Sequence, residues 1–168
     1  MPGPSPRGGN SPLKQTALDC GLRLLGRRAH SRAELRQKLR RRGFETTQVD
    51  KAMVRLGELG YLNDAAYAES LVRRRSGSRG AMAMASELAS KGVERHVAGE
   101  ALAGLEPEAQ IASARRLVER LQGSRVAGSY RELLNSVGPK LMRRGFSTGV
   151  IRTACQALLA ETTSAPED

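Results

Sequence analysis

The feature that most constrains the fold is a pattern that occurs three times along the chain, centred on Gly43, Gly92 and Gly145. In each copy a leucine lies four residues before the glycine and a basic residue lies one before it. An apolar residue, an alanine and a leucine follow at one, nine and thirteen residues. The glycines are 49 and 53 residues apart. Two-helix repeats have periods of about 33–34 residues, so this longer period favours three helices in each repeat.

Helix start and stop signals divide the first copy into three helices, with a break at Ala29-His30 between the first two. Ser31 and Glu34 have the spacing of a capping box, which predicts the start of the second helix. Gly43 is typical of the left-handed residue that ends a helix, and Thr46 or Thr47 begins the third. Apolar residues at helical spacing give each helix a buried face: Leu18, Gly21, Leu22 and Leu25; then Leu35 and Leu39; then Val49, Ala52, Met53 and Leu56.

The second and third copies carry similar signals. Asn63 or Asp64 caps a helix whose apolar face is Tyr67, Ala68, Leu71 and Val72, and a polar loop follows at 76–80. Pro107 favours the first turn of a helix that opens the third copy. The second helix of that copy keeps helical spacing from Tyr130 to Leu141, but we expect Gly138-Pro139 to kink or break it.

These patterns predict an all-α fold of three tandem three-helix-bundle repeats that form a curved, elongated array. We predict that the repeats span residues 14–62, 63–106 and 107–160. Four of the seven prolines lie in the first twelve residues, so we expect a disordered arm over 1–13. The polar residues 161–168 are expected to form a disordered tail.

Positive charge is concentrated in a few short segments. The chain has 28 Lys and Arg against 17 Asp and Glu, a net charge of +11, and residues 27–42 hold eight of the basic residues with a single acid, Glu34. Because Leu35 and Leu39 are expected to face inward, the basic side chains of that helix should point largely outward. Two smaller clusters lie at the bend of the second copy and before the third glycine. The candidate partner-binding residues are Arg27, Arg28, Arg32, Arg36, Lys38, Arg40, Arg41, Arg42, Arg73, Arg74, Arg75, Arg79, Lys140, Arg143 and Arg144.

A single basic run is most often a solvated helix face, but three runs at related positions of a repeat favour a binding surface. Stacked repeats place equivalent residues along one surface, and arginine suits two-pronged contacts with phosphate or carboxylate. The expected partner is therefore nucleic acid or an acidic protein surface.

Other functional classes lack their sequence features. No run of about eighteen apolar residues is present, and the first residues lack the apolar centre of a secretory signal. Three tyrosines, two phenylalanines and no tryptophan are too few for binding single strands by base stacking. Cys20 and Cys155 are expected to be reduced core thiols of a cytosolic protein. His30 and His96 have no motif neighbours and no phosphate-binding loop exists, so we predict a protein without catalytic residues, metal or cofactor.

The string from Leu59 to Ala68, LGYLNDAAYA, resembles the signature of the RecX family, regulators of the bacterial recombinase RecA. The segments around Ser31–Leu35 and Leu39–Phe44 are similar to the same family's first repeat. The resemblance covers roughly 16–160 and is most specific over 31–75. This sequence differs mildly from the family pattern at Asn63, where the family usually has Asp, and at Tyr67, where the family often has Phe.

The resemblance implies a non-enzymatic regulator, and we expect this cytoplasmic protein to be a monomer. It would bind the RecA filament on single-stranded DNA and inhibit ATP hydrolysis, strand exchange and the SOS co-protease activity. The sequence leaves open whether the arginines contact RecA or DNA phosphates, single-stranded or duplex. A repressor or nucleoid-type protein acting on duplex DNA without RecA is the alternative, and a helical-repeat scaffold for another acidic protein is a third.

Overall fold

The computed structural model describes residues 15–123 and 129–164, with side chains described up to residue 161. This part of the chain folds into nine α-helices and no strand. The prediction of an all-α fold built from tandem three-helix repeats is confirmed. The predicted arm over 1–13 lies outside the described residues. The last helix extends to Ser164, inside the predicted tail, whose remaining residues also lie outside. The helices are α1 (Ala17–Arg27), α2 (Arg32–Arg41), α3 (Thr46–Glu58), α4 (Asp64–Arg75), α5 (Ala81–Ser90), α6 (Arg95–Ala103), α7 (Pro107–Gln122), α8 (Tyr130–Arg143) and α9 (Thr148–Ser164).

Each successive set of three helices encloses its own apolar core. Leu35, Leu39 and Leu56 are fully buried in the core of α1–α3. Met84 and Leu88 occupy the same place among α4–α6, and a third core lies among α7–α9. The three cores correspond to the three copies of the sequence pattern. All three pattern glycines have positive φ, at 85°, 69° and 83°, as helix-ending residues do.

The helices begin where their capping residues predict. The Ser31 hydroxyl accepts a hydrogen bond from the Glu34 amide at 3.1 Å, and the Asn63 side chain accepts one from the Ala66 amide at 3.0 Å. α1 has a full capping box, in which Thr16 donates its hydroxyl and its amide to Asp19. These hydrogen bonds hold the pKa of the Asp19 carboxyl below its usual value.

Two details of the predicted helices are wrong. The fully buried side of α1 consists of Ala17, Cys20, Gly21 and Leu24, while the predicted Leu18, Leu22 and Leu25 only flank it. The reason is the missing side chain of Gly21: a Cβ there would lie 2.7 Å from Leu56 Cδ1, so α3 packs against the small residues of α1.

The second error is the break expected at Gly138-Pro139: α8 runs from Tyr130 to Arg143 with Pro139 inside it. Proline removes one helical hydrogen bond and normally disrupts an interior turn. Here Val137, Gly138 and Leu141 are buried in the core of α7–α9, and this packing holds the flanking turns in helical geometry. Tertiary burial has therefore overridden the local preference of the Gly-Pro pair.

The chain divides into two compact units. Residues 15–30 and 35–62 form the first unit, and residues 31–34 belong with those from 63 onward in the second unit. The second unit thus contains α4–α9 together with the first turn of α2. Within the second unit, two junctions join the end of one helix to the start of another, the first through backbone hydrogen bonds and the second through side chains.

The first junction joins the end of α8 to the start of α5. The Gly80 amide donates to the Arg144 carbonyl at 2.9 Å, and the Met82 amide donates to the Gly145 carbonyl at 3.2 Å. Amides at a helix start and carbonyls at a helix end have no partner within their own helices, so each end supplies what the other lacks. The approach leaves no room for side chains, because a Cβ on Gly145 would lie 2.2 Å from the Ala83 nitrogen.

The second junction joins the end of α5 to residues 31–34. The buried Ser31 hydroxyl donates to the Lys91 carbonyl, and Lys91 Nζ lies 3.4 Å from Glu34 Oε1. A Cβ on Gly92 would lie 2.4 Å from Ala33 Cβ. Gly92 and Gly145 therefore both meet an alanine of the preceding repeat's second helix, whereas a Cβ on Gly43 would meet nothing within 4 Å.

We predict that Gly145→Ala destabilises the protein more than Gly43→Ala does. Both substitutions put alanine at a positive φ, which costs about 1–2 kcal/mol. Only Gly145→Ala also forces apart the two backbone hydrogen bonds at α5, each worth about 0.5–1.5 kcal/mol. Urea unfolding followed by circular dichroism should give a difference of about 2 kcal/mol. Equal free energies of unfolding for the two variants would contradict the junction.

A second prediction separates helix capping from the junction at Ser31. Ser31→Ala removes the hydroxyl that accepts from the Glu34 amide and donates to the Lys91 carbonyl. We expect the free energy of unfolding to fall by about 2–3 kcal/mol. Ser129→Ala is the matched control, because the exposed Ser129 hydroxyl caps α8 through the Glu132 amide and has no other partner among the described residues. That control should cost about 1 kcal/mol. The same urea measurement checks both, and equal losses would exclude a role for the Lys91 contact.

Candidate basic interface

The cationic residues of α2 form a surface in the first unit. Arg36, Arg40, Arg41 and Arg42 are exposed and Lys38 is half-buried, because Leu35 and Leu39 take the buried side of the helix. We call these five residues the α2 basic surface. The predicted outward orientation is therefore confirmed for the four arginines.

Little negative charge offsets the end of this surface. Arg36 lies 3.5 Å from Asp50 Oδ1, with both side chains about half exposed. The side chains of Arg40, Arg41 and Arg42 form no ion pair or hydrogen bond with any residue in the ranges 15–123 and 129–164. Three adjacent unneutralised arginines at a helix C-terminus are compatible with the helix dipole and attract an anionic partner.

The candidates before α2 and at its first residue are placed differently. Arg27 and Arg28 are exposed at the end of α1, where Arg28 donates to the Ala29 carbonyl at 3.0 Å. Arg32 belongs to the second unit, and its amide donates to Asp64 Oδ1 at 2.8 Å. Its side chain is exposed. Sequence proximity therefore groups residues that the fold assigns to different units.

The second and third basic clusters meet in a groove of the second unit. The groove has a volume of about 570 Å³ and lies beside the junction of α5 with α8. We call it the α5–α8 groove. Its lining consists of Arg75, Arg79, Met82, Ala83, Ser86, Glu87, Ser90, Met142, Arg143 and Gly145.

The groove is cationic overall. Arg75 pairs with Glu87 at 3.3 Å, whereas the side chains of Arg79 and Arg143 have no polar partner in the described residues. The other predicted residues of these clusters, Arg73, Arg74, Lys140 and Arg144, are exposed but do not line the groove. The Arg144 backbone instead takes part in the junction through its carbonyl.

Seven residues of the groove are absent from the predicted binding residues, and three of these, Met82, Met142 and Glu87, matter most for its chemistry. Met82 and Met142 are 65% and 51% exposed, which is unusual for methionine. Glu87 is the acidic partner of Arg75. The sequence did contain a signal for the exposure of Met82. Met84 and Leu88 define the buried side of α5, and a helical residue two positions from Met84 points away from that side. No local pattern brings Met142 near Met82, since that proximity depends on the junction.

The sulfhydryl and imidazole groups lie apart from these surfaces. Cys20 and Cys155 are buried free thiols, and burial raises the pKa of the Cys155 thiol. His30 is buried, while His96 is exposed with its Nδ1 3.4 Å from Glu94 Oε2. Within residues 15–123 and 129–164, no group of three or more His, Cys, Asp or Glu side chains is placed to hold a metal ion. None of the helices described has the length and apolarity required to cross a bilayer.

Comparison with known proteins gives consistent matches. Family models described as the first and second three-helix domains of RecX match residues 17–56 and 63–102. A regulatory protein RecX from Halorhodospira halophila is 39% identical over 144 residues, 85% of this chain and 88% of that protein. Its counterpart from Mycobacterium ulcerans is 34% identical over 161 residues, 94% of this chain and 91% of that protein.

A solved structure extends the similarity to the fold. The crystal structure of RecX from Lactobacillus salivarius superposes with a TM-score of 0.77 at 27% sequence identity. The match covers 86% of this chain and 95% of that one. The sequence matches and the structural match therefore each cover most of this chain.

Proposed function

This chain belongs to the RecX family of regulatory proteins, and we propose that it binds the RecA filament on single-stranded DNA and inhibits the filament's ATP hydrolysis and strand exchange. The proposal extends to the co-protease activity of the filament in the SOS response. In this role the protein acts by binding, without catalytic residues or a cofactor, in the cytoplasm. The regulatory names of its relatives support such a role.

The observation that carries the proposal is the α2 basic surface. Arg40, Arg41 and Arg42 are exposed, adjacent and unneutralised by any described residue. A nucleoprotein filament presents phosphates and acidic side chains, both of which accept paired hydrogen bonds from guanidinium groups. Keeping three like charges together at a helix end is unfavourable in the free protein and becomes favourable when an anion binds.

The α5–α8 groove supports the same proposal from a separate part of the chain. Arg79 and Arg143 are available there for a second anionic contact. Two contacts made by one chain increase the overall affinity, because the second forms at a high effective concentration once the first is made. A regulator that works on a repeating filament benefits from this effect.

We predict that reversing the end of the α2 basic surface weakens inhibition without unfolding the protein. In Arg40→Glu/Arg41→Glu/Arg42→Glu, Arg36 is left in place so that its ion pair with Asp50 persists. The measurement is the ATPase rate of assembled RecA on single-stranded DNA at increasing concentrations of this protein. We expect the concentration for half-inhibition to rise at least tenfold, which corresponds to about 1.4 kcal/mol.

The matched control is Arg95→Glu/Arg120→Glu/Arg152→Glu, which reverses three exposed arginines outside the two surfaces. Each triple variant lowers the net charge from +11 to +5, so overall charge is held equal. Equal effects of the two variants would refute a specific role for α2. If the unchanged protein has no effect on the ATPase but binds duplex DNA tightly without RecA, the duplex-binding alternative replaces this proposal.

A further inference from the structure

The α5–α8 groove combines exposed apolar side chains with arginines. Five large hydrophobic residues are conspicuously exposed in the described part of the chain, and two of them, Met82 and Met142, line this one groove. A single exposed apolar residue is ordinary on a protein surface. Two in the same concave site, flanked by unpaired cations, indicate a partner that has both an apolar and an anionic group.

The groove is held in shape by backbone hydrogen bonds. The Met82 amide donates to the Gly145 carbonyl at 3.2 Å, which fixes the α5 side of the groove against the turn that follows Met142 and Arg143. The Gly80 amide secures the same turn through the Arg144 carbonyl at 2.9 Å. Because the groove is fixed before binding, little ordering of the backbone opposes the binding of a partner.

The groove chemistry fits a protein segment better than a nucleic acid strand. It has no aromatic residue on which a base could stack, and two methionines gain little from a phosphodiester backbone. The Glu87 carboxylate and the Ser86 and Ser90 hydroxyls offer hydrogen-bond acceptors. A peptide backbone supplies N–H donors for such acceptors, whereas a phosphodiester backbone supplies none.

We propose that the α5–α8 groove binds an acidic segment of a partner protein, with one aliphatic side chain between Met82 and Met142 and carboxylates on Arg79 and Arg143. The adaptable methionine side chains fit aliphatic groups of varied shape, and the arginines bind carboxylates in paired geometry. The inference rests on the proposed function, in which the groove contacts the protein part of the filament.

The test uses the full-length chain and three fluorescein-labelled probes, without recombinase. The first probe is a twelve-residue peptide of Glu, Asp and Gly with one central leucine, and the second has serine in place of that leucine. The third is a twelve-nucleotide oligothymidylate. Fluorescence anisotropy gives the affinity of each. We expect the leucine peptide to bind at least fivefold more tightly than the serine peptide.

Met82→Ser/Met142→Ser should abolish the difference between the peptides and leave oligothymidylate binding unchanged. Val54→Ser/Leu59→Ser is the matched control, because it also removes two exposed apolar side chains but lies outside the groove. That control should keep the fivefold difference. The helical circular dichroism of both variants verifies that they fold.

Two results would overturn the proposal: equal binding of the two peptides by the unchanged protein, or a loss of oligothymidylate affinity in the methionine variant. Failure of the proposed function gives a different pattern, in which the peptides are discriminated but the recombinase ATPase is unaffected. In that case the groove would still bind an acidic segment, and the segment would belong to another partner.

Discussion

The close backbone approach between Gly145 and the start of α5 is the contact on which the second unit depends. A Cβ on Gly145 would overlap the backbone of Ala83, and one on Gly80 would overlap the backbone of Gly145. The glycine at the end of α8 therefore has two tasks: it adopts positive φ, and it lets two helix ends exchange hydrogen bonds. Gly92 also combines positive φ with a close approach, since a Cβ there would overlap Ala33, but the hydrogen bond beside it comes from the Ser31 hydroxyl. Gly43 needs only the first, although the sequence pattern does not distinguish it from the others.

The α5–α8 groove of the second unit follows from this junction. The carbonyls at the end of α8 are already bonded to the Gly80 and Met82 amides, so little unsatisfied backbone remains beside the turn. Side chains then determine the character of the surrounding surface. Arg79 and Met82 approach from one side, and Met142 and Arg143 from the other. Residues sixty or more positions apart thus form one groove because two helix ends meet.

The sequence predicts features set by local structure and misses those set by packing between distant segments. Ser31 and Asn63 mark helix starts correctly because a cap acts within one turn. Thr46 and Pro107 are the first residues of α3 and α7, whose caps are Glu45 and Glu106. The buried side of α1 was predicted to include Leu18, Leu22 and Leu25 beside Gly21, but Ala17 and Leu24 are buried instead. The missing side chain of Gly21 permits close packing against Leu56, which sets this orientation. The Gly138-Pro139 break was wrong because core packing outweighs the loss of one hydrogen bond in α8. The α5–α8 groove was not foreseen because it arises from the junction.

The two cationic surfaces differ in a way that bears on what each contacts. The end of the α2 basic surface consists of adjacent, exposed arginines, a composition suited to binding phosphates. Affinity for phosphates comes from charge and falls steeply as the salt concentration rises. The α5–α8 groove places exposed methionines among its arginines and has an acidic residue in its lining. In the proposed binding of an acidic segment, burial of apolar area would contribute to the affinity, and salt screens that contribution far less than it screens charge. A filament of protein and DNA offers both kinds of partner. A chain with one surface for each would recognise the assembled complex better than either component alone.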